Sequence, residues 1–238
     1  MSRNIVIIGA SGTIGSSLVN IYKKNSDNQV YAFSRGYNYQ RDANLIMDDI
    51  DILDEGSMQK IVMKYFTESS IDILIIATGL LHNEIIFPEK SIREISLKKF
   101  QTVFNINTFA PALIFKHFCN SISRERKSIF AAFSARVGSI SDNKIGGWHS
   151  YRASKSALNM IIKNFSIEIS RKYKNNIIVG LHPGTVDSKL SKPFQKNVPT
   201  EKLFSGEYSA LKIVKVLDSL SIQDTGKCFD FNSLEVFP

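Results

Sequence analysis

The chain has 238 residues, of which 43% are hydrophobic and 22% are charged, and its formal net charge is +8. This length and apolar content fit one globular domain and exclude a disordered or low-complexity protein. The two cysteines lie far apart, which argues for a reducing compartment and excludes a framework of several disulfides. No apolar run reaches the roughly 20 residues that cross a bilayer.

The positive charge bears on possible partners. Basic residues are scattered along the chain, and the densest group, residues 170–174, is typical of a solvated helix end. We therefore expect no nucleic-acid partner and no membrane partner, since a phosphorylated cofactor would account for a mildly positive field. The first residues run directly into an apolar strand pattern, which predicts a cytoplasmic protein without a signal peptide.

Short apolar runs and longer amphipathic stretches alternate along the chain. The predicted strands are residues 4–10, 29–34, 44–48, 72–78, 128–134, 176–182 and 227–231. The predicted helices are residues 14–24, 55–68, 98–122, 150–173 and 206–220. Near-continuous Ile, Val, Leu and Phe runs are typical of parallel strands that are covered on both faces. The pattern predicts an α/β fold, a Rossmann-type doubly wound parallel sheet of about seven strands, in a single domain spanning residues 1–238.

The sequence GASGTIG follows the first predicted strand and begins the first helix. Gly9 can form the tight turn, and Gly15 allows the helix to pack closely against the strand. The free N–H groups at the start of this helix, around Ile14, can bind a pyrophosphate, with Ser11 and Thr13 as further donors. A purely structural turn is the alternative, but the place of the motif in the first β–α unit favours dinucleotide binding.

The end of the second strand indicates which dinucleotide is bound. A cofactor without a 2′-phosphate is usually held there by an Asp or Glu, and no acid occurs between residues 29 and 41. Ser34 and Arg35 occupy the position instead, and a guanidinium suits a phosphate dianion. NADP(H) is therefore favoured over NAD(H), the alternative being that Arg35 is an exposed loop cation.

Tyr151 and Lys155 lie four residues apart near the start of a long amphipathic helix, so they share one helical face. An isolated tyrosine has a pKa of about 10, which is too high for ready proton exchange at neutral pH. A nearby ammonium stabilises the phenolate and brings the tyrosine towards the working range of a general acid or base. Such pairs also arise by chance, but this one follows a nucleotide-binding half of the chain.

These pieces together resemble the short-chain dehydrogenase/reductase family. GASGTIG, IIATG, the NIN at residues 105–107, YRASK and HPGTVDS occur in the order typical of that family, across essentially the whole chain. SARVGSISDN, GGWHSYRASKSALN and the ending TGKCFDFN are similar to its C-factor-like branch. One departure is the middle glycine, which is displaced from the usual TGxxxGxG spacing and weakens the expected pyrophosphate geometry.

The resemblance implies a role for each matching residue. Tyr151 would donate a proton to a carbonyl, Lys155 would lower the tyrosine pKa and bind the nicotinamide ribose, and Asn107 would hold a water in a proton relay. Asp51 and Ile52 match the residues beside adenine, although Asp51 could merely cap the following helix. The remaining cofactor contacts implied are Ala77, Thr78 and Gly79, in place of the usual Asn-Asn-Ala-Gly, and Pro183, Gly184, Val186 and Ser188, the last in place of Thr.

The catalytic serine of the family has no counterpart at the matching position. Laid on the usual ISS ending, Ala135 takes the catalytic place and Ser134 is expected to point to the opposite face of the strand. Three interpretations stay open. Ser139 or a water substitutes in a slower reductase; Tyr151 alone suffices; or the protein binds NADP(H) as a sensor or interaction protein.

The sequence thus predicts an NADP(H)-dependent oxidoreductase that reduces a small-molecule carbonyl or oxidises an alcohol by hydride transfer, with a signalling or sensor protein as the alternative. Residues 184–206, rich in Pro, Lys and Ser, are predicted to be a mobile substrate loop. Trp148 and His149 are candidates for the substrate pocket, and the histidines show no metal-binding spacing. The resemblance implies a homodimer or homotetramer built through the 98–122 and 150–173 helices.

Overall fold

The computed structural model describes residues 2–238. The fold is built on one large, mostly parallel β-sheet. Its strands are β1 (Arg3–Ile8), β2 (Asn28–Phe33), β3 (Gln40–Asp42), β4 (Leu45–Asp48), β5 (Ile73–Ile76), β6 (Ser128–Phe133), β7 (Asn176–His182) and β10 (Cys228–Asp230). The order across the sheet is β10-β7-β6-β5-β1-β2-β4-β3, and β8 (Thr185–Val186) with β9 (Leu203–Phe204) forms a separate pair. All neighbours in the large sheet are parallel except β3, which runs antiparallel to β4 at the edge.

Helices cover both faces of this sheet. They are α1 (Thr13–Tyr22), α2 (Glu55–Tyr65), α3 (Leu97–Phe104), α4 (Ala110–Phe118), α5 (His149–Lys172) and α6 (Gly206–Ser219). One apolar core lies between the sheet and the pair α1 and α6, and a second lies between the other face and helices α2, α4 and α5. The central strands β1, β5, β6 and β7 are buried on both sides, as their continuous apolar runs predict. The predicted doubly wound α/β fold is confirmed.

The structure differs from the predicted elements in three places. The predicted 98–122 helix is divided into α3 and α4 by one wide turn of π-helix, Asn105–Phe109. Short β3 adds an eighth strand to the sheet, between the predicted strands 29–34 and 44–48, where no element is predicted. Residues 184–206 contain β8, β9 and two short 3-10 turns, Lys192–Asn197 and Thr200–Lys202, so the predicted substrate loop has regular structure. None of the helices between residues 2 and 238 combines the length and hydropathy that crossing a membrane requires.

Candidate active site

Tyr151 is buried at the start of α5, with 8% of its surface exposed. An apolar cluster surrounds it, in which Ala135, Trp148 and Phe194 pack against the buried residues. Its main-chain carbonyl accepts a hydrogen bond from Ser154, whereas its hydroxyl has no hydrogen-bond partner within residues 2–238. Burial raises the pKa of Tyr151 to about 12. The side chain is therefore held as a neutral phenol with a free O–H group.

Lys155 lies one turn further along α5 and is 2% exposed. Its Nζ donates to the carbonyl oxygen of Phe133 at 2.7 Å and lies 5.8 Å from the centre of the Tyr151 ring. Burial lowers the pKa of Lys155 to about 7. The lowering of the tyrosine pKa by Lys155 stays a prediction, and in this structure burial sets the direction of the Tyr151 pKa. Desolvation of the phenolate dominates at Tyr151, and the ammonium itself is disfavoured by burial.

Asn107 belongs to the π-helical turn between α3 and α4 and is fully buried. Its Oδ1 accepts from the Leu80 N–H at 2.7 Å, and its Nδ2 donates to the Leu80 carbonyl at 2.8 Å and to the Ser154 hydroxyl at 3.1 Å. A Cβ added to Gly79 would lie 3.7 Å from Asn107 Oδ1 and 3.9 Å from Lys155 Nζ. Asn107 and Lys155 therefore flank the same small residue after β5, while the water relay stays a prediction.

The two serines beside Ala135 are bonded elsewhere. Ser134 donates to Asn159 Oδ1 at 2.6 Å, towards α5, as the alternation of strand side chains predicts. Ser139 Oγ lies 3.3 Å from Ser141 Oγ and accepts from the Asp142 N–H at 3.2 Å. Ala135, by contrast, packs in the cluster around Tyr151. Of these three residues, the one that packs against the cluster containing Tyr151 has no hydroxyl. No hydrogen bond joins Ser139 to Tyr151 within residues 2–238, so a part for Ser139 in the chemistry stays a prediction.

The glycine turn after β1 leaves room in which a dinucleotide could be held. Gly9 has φ +88°, and a Cβ there would meet Thr78 Cγ2 at 2.8 Å. A Cβ on Gly15 would collide with the Gly9 carbonyl oxygen, so Gly15 lets α1 approach the turn. Gly12 is the N-cap of α1 and provides no side-chain cap, which leaves first-turn N–H groups, those of Thr13 and Ile14 included, for a ligand.

Thr78 offers a second, independent indication that this cleft holds a polar ligand. Its Oγ1 is buried and has no hydrogen-bond partner within residues 2–238. Buried hydroxyls are rarely left without a partner, because desolvation without a hydrogen bond is unfavourable. Thr78 follows β5, next to Ala77 and across from Gly9. The residues present therefore fit a dinucleotide at this edge of the sheet.

The end of β2 lies beside the glycine turn. Ser34 is buried, and its Oγ is 2.6 Å from Ser11 Oγ, so the two predicted ligands meet. Arg35 follows and is exposed. One acid in this area was missed: Asp49 accepts a hydrogen bond from the Gly36 N–H. Because β2 and β4 are parallel neighbours, their ends lie side by side, and that pairing could have drawn attention to Asp49.

Asp51 and Ile52 follow β4 and are half-buried. Asp51 accepts from the Leu53 N–H at 2.9 Å, and its own N–H donates to Ser57 Oγ at 3.0 Å. The residue that caps α2 is Asp54, so the alternative that Asp51 merely caps this helix is wrong. Asp51 is left in a turn next to the end of β4, where the resemblance places adenine.

The segment after β7 closes the other side of the cleft. The Pro183 carbonyl accepts from the Ser209 hydroxyl at 2.8 Å, and Gly184 has φ +79° beside the ring of Phe204. Val186 is buried in the β8–β9 pair, and the Ser188 N–H donates to Ser191 Oγ at 3.3 Å. These bonds hold the predicted nicotinamide-flanking residues in a fixed turn.

Aromatic side chains form a wall beside Tyr151. The ring of Trp148 lies 6.2 Å from that of Tyr151 and 5.0 Å from that of Phe194. His82 extends the wall, 5.5 Å from Phe194 and 5.7 Å from Phe87. His82 and Phe87 were not among the predicted pocket residues, because their isolated positions in the sequence give no signal. His149 and Trp148 are both half-buried at the start of α5.

Comparison with known proteins agrees with this geometry. The family model described as short chain dehydrogenase matches residues 3–199. A segment of 95 residues is 37% identical to 1-hydroxy-2-glutathionyl-2-methyl-3-butene dehydrogenase of Rhodococcus sp., covering 40% of this chain and 39% of that protein. A 133-residue segment is 28% identical to C-signal of Myxococcus xanthus, covering 56% of this chain and 75% of that one.

Among solved structures, the NADPH-bound carbonyl reductase from chicken fatty liver superposes with a TM-score of 0.85 at 23% identity. The match covers 100% of both chains, so the whole fold is shared. The matched family model includes the glycine turn, the strand ends and the Tyr151–Lys155 helix. The chain belongs to the short-chain dehydrogenase family.

Proposed function

We propose that the protein is an NADP(H)-dependent short-chain oxidoreductase that reduces a small carbonyl compound, or oxidises the corresponding alcohol, with Tyr151 as the general acid or base. One observation carries the proposal: a buried tyrosine with an unbonded hydroxyl lies one helical turn from a buried lysine, beside a glycine turn built for a dinucleotide. The site belongs to a family of oxidoreductases.

The residues of the chain supply the proton for the reaction and orient the substrate. When bound, the nicotinamide supplies the hydride that is added to the carbonyl carbon. Tyr151, held neutral by burial, donates its hydroxyl proton to the carbonyl oxygen as negative charge develops there. Lys155 and Asn107 both lie next to Gly79. We propose that the proton given up by Tyr151 is replaced through these two side chains. The apolar wall around Tyr151 excludes water from the reacting atoms.

Three features support NADP(H) over NAD(H). The hydroxyls of Ser11 and Ser34 are paired after β1 and β2, and Arg35 follows Ser34 with an exposed side chain, so these residues can bind a 2′-phosphate. The structural neighbour from chicken binds NADPH. Asp49 is a feature that favours NAD(H) instead, because it is an acid that follows β4 beside the end of β2. Its carboxylate already accepts a hydrogen bond from the Gly36 N–H, and we propose Arg35 as the group that meets the 2′-phosphate.

The remaining parts of the proposal concern the substrate and the assembly. The wall of Trp148, Phe194 and His82 favours an apolar or aromatic carbonyl compound. Exposed apolar residues on α3, the 105–109 turn and α5 support a homodimer or homotetramer through these helices. We also propose a cytoplasmic location and membership of the C-factor-like branch, which the similarity to C-signal supports.

A second function, NADP(H) sensing without turnover, is favoured by one observation: Ala135, at the position where the resemblance implies a serine, packs against the cluster that contains Tyr151. Loss of one oriented donor typically lowers the rate by about 10²–10³. Such a loss slows a reductase without abolishing it, so we rank the sensor second.

The decisive measurement is NADPH oxidation with a panel of apolar aldehydes and ketones, for the wild type, Tyr151→Phe and Ala135→Ser. Tyr151→Phe removes the acid and is expected to lower kcat by about 10²-fold or more with unchanged NADPH affinity. Ala135→Ser adds a donor beside the carbonyl and is expected to raise kcat/KM by about ten-fold. Turnover that Tyr151→Phe leaves intact contradicts the proposal, and NADPH binding without turnover of any compound supports the sensor.

A further inference from the structure

Glu89 is a fully buried carboxylate, 0% exposed, that no step above uses. It lies in the loop between β5 and α3, yet its Oε2 accepts from the Ser150 N–H at 3.1 Å and from the Ser150 hydroxyl at 3.0 Å. Ser150 is in the first turn of α5, one residue before Tyr151. Glu89 therefore caps the helix that carries the tyrosine and the lysine, from a loop 61 residues away.

Trp148, the N-cap of α5, depends on the same residue. Its backbone is left-handed, with φ 50° and ψ 43°, and it provides no side-chain cap. A non-glycine residue is strained in this conformation and persists only where the surroundings hold it. Here the Trp148 N–H donates to the Glu89 carbonyl oxygen at 2.5 Å. Backbone and side chain of Glu89 thus bind the residues on both sides of His149.

This arrangement is more elaborate than stability alone requires. A Ser, Thr, Asp or Asn at position 148 would cap α5 locally, in the ordinary way, without a buried carboxylate. A tryptophan at 148 instead places an indole against Tyr151 and Phe194, and the capping group then has to come from elsewhere. Glu89 Oε1 stays buried without a partner in residues 2–238, which shows that the burial is unfavourable in itself.

We propose that Glu89 is a positioning residue: by fixing the 148–150 turn, it sets the orientation of the Tyr151 hydroxyl and of the Trp148 wall relative to the substrate. Glu89 acts through Trp148 and Ser150 and does not touch the reacting atoms. The proposal rests on the proposed function for its kinetic part. Its conformational part can be tested without cofactor or substrate.

Trp148 is the single tryptophan of the chain, so its fluorescence reports directly on this turn. In cofactor-free protein, Glu89→Ala is expected to shift the emission to longer wavelength and to raise quenching by iodide, because the indole leaves its packed position. Glu89→Gln keeps a carbonyl acceptor of the same length and is expected to retain the wild-type spectrum. Asp54→Ala, which removes the cap of α2, is the matched control and should leave the emission unchanged.

Kinetic measurements distinguish a positioning role of Glu89 from a role in stability alone. At a temperature well below unfolding, Glu89→Ala is expected to lower kcat with a carbonyl substrate by at least about ten-fold, since small displacements of a catalytic group are costly. The KM for NADPH should stay within about two-fold, because the hydrogen bonds of Glu89 go to Trp148 and Ser150 and to no residue of the glycine turn. Glu89→Gln is expected to restore most of kcat, and Asp54→Ala is expected to lower the melting temperature without changing kcat.

Each result has a defined meaning. If Glu89→Ala does not fold, Glu89→Asp replaces it, because the carboxylate is then one methylene too short to reach Ser150. A folded Glu89→Ala or Glu89→Asp with wild-type emission and wild-type kcat overturns the proposal. If the wild type reduces no carbonyl, the proposed function fails, and the fluorescence series still decides whether Glu89 holds the turn.

Discussion

Burial moves the pKa of Tyr151 up and the pKa of Lys155 down. Both side chains are almost inaccessible, and each pKa moves in the direction that favours the neutral form. The tyrosine therefore stays a neutral phenol at physiological pH, and the pKa of the lysine lies near neutrality. The sequence predicts the pair from its spacing. It cannot predict the desolvation, which depends on residues from the connections after β5 and β6 and from the 184–206 segment that pack around Tyr151.

The pH dependence of stability tests this balance through Lys155→Met. The pKa of Lys155 is about 7 in the folded protein and about 10.4 when unfolded. Below pH 7 the ammonium is charged in both states, so its burial destabilises the wild type fully. Between the two pKa values the penalty shrinks by roughly 1.4 kcal/mol per pH unit, because the unfolded state binds more protons. Lys155→Met should therefore gain most stability at pH 6 and progressively less towards pH 10.

Urea unfolding of the cofactor-free protein at several pH values measures this difference. The lost hydrogen bond to Phe133 lowers the stability of Lys155→Met by an amount that does not vary with pH. The informative quantity is therefore the slope of the stability difference between wild type and variant against pH. Lys163→Met, at an exposed position of the same helix, serves as the control. A stability difference between wild type and Lys155→Met that is flat from pH 6 to pH 10 would show that burial does not govern the lysine.

At the scale of elements, the strands are the best predicted part of the molecule. All seven predicted strands are present, because a strand buried on both faces has a continuous apolar run that is visible in sequence. The missed elements lack such a run. The three residues of β3 are exposed, and β8 and β9 are two residues each, held by pairing with each other. The π-helical turn at Asn107 is set by its bonds to Leu80 and Ser154, which are distant in sequence.

The β1–α1 turn gives a prediction in which two glycines are expected to behave differently. A Cβ on Gly12 would lie 3.4 Å from the Gly9 carbonyl oxygen, an ordinary contact, and the Gly12 backbone is extended. Gly12→Ala should therefore fold with nearly the wild-type melting temperature. Because the added methyl group projects where the pyrophosphate must approach the helix N-terminus, NADPH affinity should fall by about ten-fold.

Gly15→Ala is the matched variant of the same turn. Its methyl group would collide with the Gly9 carbonyl oxygen inside the fold, so we expect a loss of about 2 kcal/mol or more in the free energy of unfolding. Calorimetry and NADPH titration of both variants check the pair. Wild-type affinity in a folded Gly12→Ala would indicate that the pyrophosphate does not lie at this turn.

At the scale of the whole molecule, the topology explains why the candidate site could be predicted only in part. The carboxyl ends of β1, β2, β5, β6 and β7 meet at one edge, where the chain order reverses beside β1. Residues that follow these strands, such as Gly9, Arg35 and Thr78, are identifiable from sequence. Groups that enter from long connections, such as Glu89 and His82, become visible only when the loops are placed against α5.

The packing of helices around the sheet leaves apolar side chains exposed on the outer helices. These side chains allow the assembly of the protein to be tested. Phe109 in the 105–109 turn is 51% exposed and Met160 on α5 is 62% exposed, on elements where the resemblance places contacts between copies. Such a surface is stabilised by burial against a second copy. Met160→Glu and Phe109→Glu should therefore shift the mass measured by light scattering from two or four copies towards one. Met63→Glu is the control, since Met63 is 74% exposed on α2, outside these helices. An unchanged mass for all three variants would place the contact on another face, and a monomeric wild type would contradict the assembly itself.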